Sequence, residues 1–338
     1  MMFYMSSSRC RSEMSRVSLM LTSLSILVLL LCGLSLSLGE PLMTVSGWFD
    51  FIRGETPAFW GQIIGQWRVP HLLLALLLGA ALGVSGAVFQ SVLRNPLASP
   101  DIIGLNTGAY TGVLLMISFG VAVPLGLMGA AMLGSGITAL MVYLLAWQGG
   151  MATFRLLIIG IGLRAMLMAL NTWFILQSSL ENAMSASLWS AGSLNGLNWE
   201  QVYIALPIII VLMLALLPLR QAMSILEMGD HSASGLGVSV EFTRCALLSV
   251  GVGLTAVVTV IAGPISFVAL MAPQLARKLL NTERCHLRTS ALTGAVLLLG
   301  CDLIAQFAFS PYRLPIGVVV VSIGGLYLLM ILMKEARR

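Results

Sequence analysis

Charge is what this 338-residue chain has least of. Only 9% of its residues are Asp, Glu, Lys or Arg, where soluble domains carry about 25%. Hydrophobic residues make up 58% and the mean hydropathy is +0.98. Such a composition excludes a soluble globular domain and points to a polytopic membrane protein. Lysine is almost missing. Lys278 and Lys334 are the only two, preceded by Arg277 and Met333. A phosphate-cradling loop needs Gly-Lys-Ser/Thr, so the chain has no means of hydrolysing ATP and reads as no enzyme. Histidine is scarce too. His71, His231 and His286 are scattered, and no His/Cys/Asp cluster has the spacing of metal ligands, so no metal site is expected. The five cysteines are odd in number and none falls in an expected outside loop. They read as small apolar fillers, not as a disulfide framework. The net charge of +5 does not suggest nucleic acid as a partner, because positive charge gathered in alternate loops sets membrane orientation.

What is present in abundance is long apolar runs. Ten are expected to span: about 17–38, 67–92, 104–120, 124–147, 154–178, 201–219, 244–262, 264–278, 289–309 and 315–333. Residues 1–16 form an inside tail, 39–66 an outside loop with Trp48 and Trp60, and 220–243 an inside polar segment of helical character. Membrane lipid surrounds the spans. Ten spans leave both termini on the inside, and the cations agree. Fourteen arginines and lysines fall in loops assigned inside, Arg9, Arg11, Arg337 and Arg338 among them. Three, Arg53, Arg68 and Arg313, fall outside, a strong positive-inside bias. The fold class is an all-α polytopic membrane protein of about ten transmembrane helices.

The organising stretch is 67–104, WRVPHLLLALLLGAALGVSGAVFQSVLRNPLASPDIIG. His71 to Leu93 is about 34 Å of helix without formal charge unless His71 protonates, enough for a hydrocarbon core of about 30 Å. Gly79, Gly83 and Gly86 give it a small-residue face that admits a neighbouring backbone and is a candidate element of a translocation path. Pro96 and Pro100 then break the helix. Backbone broken at membrane depth survives only where protein or water covers it. A weak likeness between the segment ending NPLASP and the later GPISFVALMAPQLARK suggests a repeat inverted across the membrane.

Arg164 lies about ten residues into its span, near the midplane, where burial costs about 2.5–3.5 kcal/mol on insertion scales. Asn171 follows seven residues on, on the same helix face. One reading has both lining a path for an anionic substrate; the other has Arg164 pairing with Asp302 or bonding backbone carbonyls. In the inside segment LEMGDHSASGLGVSVEFTR, residues 226–234 can form a short helix with Leu226 and Ala233 on one face, reversed afterwards by Gly235 and Gly237. Such an element suits docking into a partner, or is an ordinary interfacial loop. Arg68 and Arg313 stand beside helix ends outside, to snorkel or to meet a soluble partner. An ion-coupled transporter would need intramembrane acids, and Asp302 is the one good in-span candidate, which argues against that class.

Several stretches taken together resemble one family. They are WRVP (67–70), GAALGVSGAVFQSVLRNPLASPDIIG (79–104), LEMGDHSASGLGVSV (226–240), AGPISFVALMAP (262–273), DLIAQ (302–306) and LPIGVVVVSIGG (314–325). They are similar to the FecCD family of ABC-importer permeases, which carry iron–siderophore complexes and vitamin B12. The resemblance implies a type II importer permease fold like that of the vitamin B12 importer, with one permease domain over 17–334 and short cytoplasmic tails at 1–16 and 335–338. It implies a bacterial inner-membrane location and a homologous second permease chain, so a heterodimer. Two cytoplasmic ATPase subunits would use ATP, and a periplasmic siderophore-binding protein would deliver the cargo. No cofactor is implied for this chain itself, since iron travels as the siderophore complex. The inside loop would be the ATPase coupling element, carried by Leu226, Met228, Gly229, Ala233, Gly235, Leu236, Gly237 and Val238. Arg68, with Arg313, would face the binding protein. IGIGLRAMLMALNTW (159–173) and LWSAGSLNGL (188–197) bring it nearest to permeases of ferric enterobactin, a net-negative tricatecholate. Other siderophores, haem or vitamin B12 are the alternatives. Many members carry a second arginine where this chain has His71, and an acid where it has Arg313.

Overall fold

The computed structural model describes residues 2–336 except 56, 121–122, 124–125, 148–152, 283 and 310, with the side chains of 2–15, 153 and 335–336 also outside it. The expected inside cations Arg9, Arg11, Arg337 and Arg338 therefore lie outside the described side chains or residues. Among the described residues the chain is helical throughout. Ten helices stand where spans are expected: α1 Met2–Ser37, α2 Val69–Leu93, α3 Leu105–Phe119, α4 Gly126–Ala146, α5 Thr153–Gln177, α6 Trp199–Ala215, α7 Val240–Ala262, α8 Val268–Leu280, α9 Leu287–Phe307 and α10 Ile316–Ala336. Seven of them are long and apolar enough to cross a membrane. An eighth crossing is made if α6 is joined to the following helix Arg220–Leu226, bent from it by 60°. The other two, α3 and α8, are half-length: 15 and 13 residues give only about 20–22 Å.

α2 is the centre. Uncharged and rich in Leu and Ala, with Pro70 in its first turn, it buries all but a few side chains against α9, α7, α8 and α6. Its glycines set the approach. A Cβ on Gly79 would lie 2.6 Å from the Gly294 carbonyl oxygen, and one on Gly83 only 2.1 Å from that of Ser290. One on Gly86 would lie 1.6 Å from the Ala269 oxygen of α8. The expected small-residue face is thus spent on packing inside this chain, not on an open surface. α3 and α4 meet the same way: Gly108 and Gly112 face Thr138 and Ala130, and Gly134 returns the contact. Such contacts replace the missing hydrophobic drive between helices in lipid. Buried hydroxyls and amides add links. Ser85 donates to the Gly251 carbonyl at 2.6 Å, and Gln90 to the Leu270 carbonyl at 3.0 Å.

Two breaks shape the half-length helices. α2 ends where Arg94 takes a left-handed conformation (φ 47°), its N–H and that of Asn95 returning to Ser91 and Gln90, a Schellman closure. Residues 95–104 then run back along the bundle to Gly104 (φ 82°), where α3 begins. α7 ends at Gly263 (φ 75°), and α8 begins after Phe267 (φ 68°). The two breaks meet: Gln274 Nε2 donates to the Pro96 carbonyl at 2.6 Å, and the Ser266 hydroxyl lies near the Asp101 carboxylate.

The connections differ from expectation in two places. The segment 39–66 is not a plain loop. It holds an amphipathic helix, Val45–Arg53, started by Thr44 and closed by Gly54, then Ala58–Gln62 and a π-turn, Ile63–Arg68, leading into α2. The polar stretch after α5 likewise holds a helix, Leu180–Ser190, with Ser179 capping it.

Gly86→Ala is expected to destabilise the protein by about 1–3 kcal/mol, the usual cost of overpacking, because the Ala269 backbone cannot move aside alone. Gly136→Ala, where a Cβ meets nothing, should be silent. Thermal unfolding of the two variants in detergent checks this; equal midpoints would contradict it.

Candidate functional site

Three places collect the residues singled out in the sequence. The first is the segment after α6. The expected single helix over 226–234 is in fact two, Arg220–Leu226 and Asp230–Gly235. Gly229 separates them at φ 111°, a backbone geometry that side-chain-bearing residues rarely adopt. Leu226 and Ala233 are buried, as the periodicity suggests, while Met228 and Leu236 stand out into solvent, 68% and 63% exposed. Reversal falls to Gly237 (φ 83°), whose N–H returns to Ser234 while that of Val238 returns to Ala233. Gly235 stays helical at the end of the second helix.

Asp230, the first residue of that second helix, fastens the segment. It pairs with Arg94 at the end of α2 and, at 2.8 Å, with Arg244 in the first turns of α7. Arg94 Nε also donates to the Leu226 carbonyl at 3.1 Å. One carboxylate therefore joins two spans and both short helices. Partial burial works against its ionisation, but the hydrogen bonds and charges of Arg244 and Arg94 outweigh this and hold it below the usual carboxylate range. Beside it opens a groove of about 1010 Å³, basic through Arg94, Arg277, Lys278 and Arg284. Sequence reading missed Asp230. Its signal was an acid one residue after the helix-breaking glycine.

The second place is the opposite end of α2. Arg68 and Arg313 line one cleft of about 440 Å³. Arg313 is exposed. Arg68 is half-buried and largely spent within the chain: it donates to the Leu36 and Pro41 carbonyls at 2.6 and 2.7 Å and lies over the Trp60 ring, 5.8 Å from its centroid. Gly39 makes room, since a Cβ there would meet the guanidinium at 2.9 Å. On the cleft's inner side His71 bonds the Leu194 carbonyl through Nδ1 (3.1 Å) and the buried Asp302 through Nε2 (2.7 Å), with Gln306 donating to the same carboxylate at 2.7 Å. Asp302 is therefore the partner of His71, not of Arg164. The reach is short because α2 and α9 are held close by their glycines.

The third place is α5. Its helix is mostly uncovered, and Arg164 projects from that open side with no hydrogen bond among the described residues. At 1.5 Å per residue it lies roughly 16 Å from the start of α5, near mid-span. Its backbone packs on the turn before α3: a Cβ on Gly104 would meet that of Arg164 at 3.2 Å. Asp101 feels the Arg164 charge without forming an ion pair with it. Asn171 does not share this open side. It is 4% exposed, and its Nδ2 donates to the Thr107 carbonyl at 3.3 Å. α5 packs against α3 there, and that contact covers the amide. No group of three or more His, Cys, Asp or Glu that could hold a metal occurs among the described residues.

The model of the FecCD transport family matches residues 26–334. The ferric enterobactin transport system permease protein FepG of Escherichia coli (strain K12) is 52% identical over 304 residues, covering 89% of this chain and 91% of that protein. The iron(3+)-hydroxamate import system permease protein FhuG of Bacillus subtilis (strain 168) is 36% identical over 322 residues, 91% of this chain and 95% of that one. A solved ABC transporter of metal-chelate type, in an inward-facing conformation, superposes with a TM-score of 0.83 at 28% identity, covering 93% of this chain and 98% of that chain.

Asp230→Asn removes both ion pairs and should loosen the segment between α6 and α7, read as faster proteolysis there and lower thermal stability in detergent. The pH dependence follows from the direction of the shift. Because the carboxyl is depressed in the folded chain, its stabilising contribution is complete above its unfolded pKa and falls away only in acid. Between about pH 6 and 8, well above the ordinary Asp value, the difference between wild type and variant should stay constant. A difference that closes across that window would contradict it.

Proposed function

Because the chain belongs to the FecCD transport family, we propose that it is a permease subunit of an ATP-driven ABC importer. Its cargo on this reading is a ferric siderophore, ferric enterobactin or a related catecholate, moved from periplasm to cytoplasm. The observation that carries this is the 52% identity to FepG along nearly the whole of both chains. The positive-inside count supports ten spans with both termini in the cytoplasm, and the half-length α3 and α8 count among them, since each break is sheathed in protein.

The geometry divides the work. The segment Arg220–Val238 is the coupling element. Met228 and Leu236 stand free to seat on an ATPase subunit, while Asp230 transmits a push to α2 through Arg94 and to α7 through Arg244. The cleft of Arg313 and Arg68 faces the periplasmic binding protein. Arg313 offers the free charge; Arg68 shapes the surface by holding the end of α1 and the turn at Pro41. The open side of α5 faces a homologous second permease chain, the cargo path running between them, with Arg164 as the attractor for an anionic chelate. An unpaired guanidinium near mid-span is costly in lipid and belongs beside water or a partner. Gly79, Gly83 and Gly86 act at one remove, fixing α2 against α8 and α9. Asn171 does so by joining α5 to α3. Two states of different contact are needed for alternating access, and the bend between α6 and Arg220–Leu226 is where the coupling segment can tilt.

The test is uptake of radioactive iron as ferric enterobactin in bacteria lacking their own FepG-type permease, with this chain supplied from a plasmid. Restored uptake that disappears when the partner ATPase is inactivated is expected. Normal membrane levels, co-purification with the partner chains and no uptake would contradict the cargo.

A further inference from the structure

One acid at the meeting of the two helix breaks belongs to neither the coupling segment nor the outer cleft. Asp101 lies in the turn Pro100–Ile103 before α3, half-buried and beside the open side of α5. It is held from two directions. Asn106 Nδ2 donates to its carboxylate, and the Ser266 hydroxyl lies beside it. Asn106 is itself fixed, its Oδ1 accepting from Thr259 of α7 at 2.6 Å. The α5 backbone lies directly on this turn: a Cβ on Gly160 would sit 3.0 Å from the Ile102 carbonyl oxygen. Arg164 is thus placed at the same depth, within the field of Asp101 but not in contact with it. One carboxylate is tied to α3 and, through Asn106, to α7. The other partner is a long side chain with no hydrogen bond among the described residues.

That asymmetry has a consequence for a path that carries anions. A lone guanidinium at mid-span would hold a multiply charged chelate too well, and passage requires a site weak enough to leave. We propose that Asp101 is the fixed counter-charge of Arg164: it positions the guanidinium over the empty path and competes with an anionic cargo for it, so that the cargo is released. The inference rests on the path reading of Arg164. Asp101 is a positioning residue in it and does not touch the cargo.

The experiment uses the complete importer in proteoliposomes, loaded with radioactive ferric enterobactin from its binding protein. It measures the amount retained on the washed transporter and its release rate after ATP. Asp101→Asn should raise retention and slow release by roughly fivefold or more, the lower end of couplings between interacting sites. Asp101→Glu, which keeps the charge, should stay close to wild type. Arg164→Gln should lose retention, and adding Asp101→Asn to it should change nothing further. If Arg164→Gln abolishes retention but Asp101→Asn leaves release unchanged, the counter-charge idea is wrong and the path reading stands. If Arg164→Gln retains cargo like wild type, the path reading itself falls. Asp101→Ser serves as a second neutral variant. Should neither neutral variant reach the membrane while Asp101→Glu does, Asp101 is a folding residue and the proposal is overturned.

Discussion

A peptide backbone inside a bilayer has no water to turn to, so every break in a helix must be satisfied by the protein itself. The rest of this structure depends on how two such breaks are covered. The first, between α2 and α3, turns on Asn95, whose side chain accepts from the Leu97 N–H while its carbonyl accepts from Ala98. Gln274 of α8 reaches across to the Pro96 carbonyl. The second, between α7 and α8, is roofed by the segment after Leu180–Ser190: the Ser193 N–H returns to the Ala262 carbonyl at 2.8 Å, and Gly192 packs on Pro264. Phe267 holds a positive φ that is rare for an aromatic residue. Its ring fits because Gly324 of α10 has no Cβ, which would lie 2.6 Å away. Each break covers the other, and the seam is the Gln274–Pro96 bond with Ser266 beside Asp101.

The close packing of α2 makes this possible. Its glycines let α8 and α9 approach to backbone contact, which sets the half-length α8 beside the first break and brings Asp302 within reach of His71. The same helix carries, at its two ends, Arg68 over the outer connection and Arg94 over the segment that follows α6. A displacement of that segment is felt by α2 and α7 through one carboxylate, Asp230. A rigid centre with a charged clasp at one end can act as a lever, because packed cores switch between discrete arrangements instead of bending continuously.

Much of this was legible in the sequence. The ten helical positions, the small-residue face of α2 and the burial of Leu226 and Ala233 follow from apolar runs, prolines and periodicity, which are local signals. The family resemblance carried by six separated stretches is matched by the family model over residues 26–334. What stayed hidden was pairing across long stretches of chain. Asp302 is 231 residues from its partner His71, and nothing local distinguishes that partner from Arg164. Asp101 sat inside a proline-rich motif that reads as a break, not as a charged site. The glycines of α2 pointed to close contact, but whether that contact lay inside the chain or along the cargo path depends on the position of α9. The helix Val45–Arg53 was masked by its shortness and by the tryptophan that suggested only an interface.

The most direct measurement is whether the two breaks touch in the membrane. In a chain with its native cysteines replaced by alanine or serine, Asp101→Cys and Ser266→Cys should form a disulfide rapidly on mild oxidation in intact membranes. A control pair of Asp101→Cys with a cysteine at the exposed Gly136 should not. Absence of the cross-link, with both thiols reacting freely and independently with small reagents, would mean that the breaks are apart, and the arrangement built on their contact would not hold.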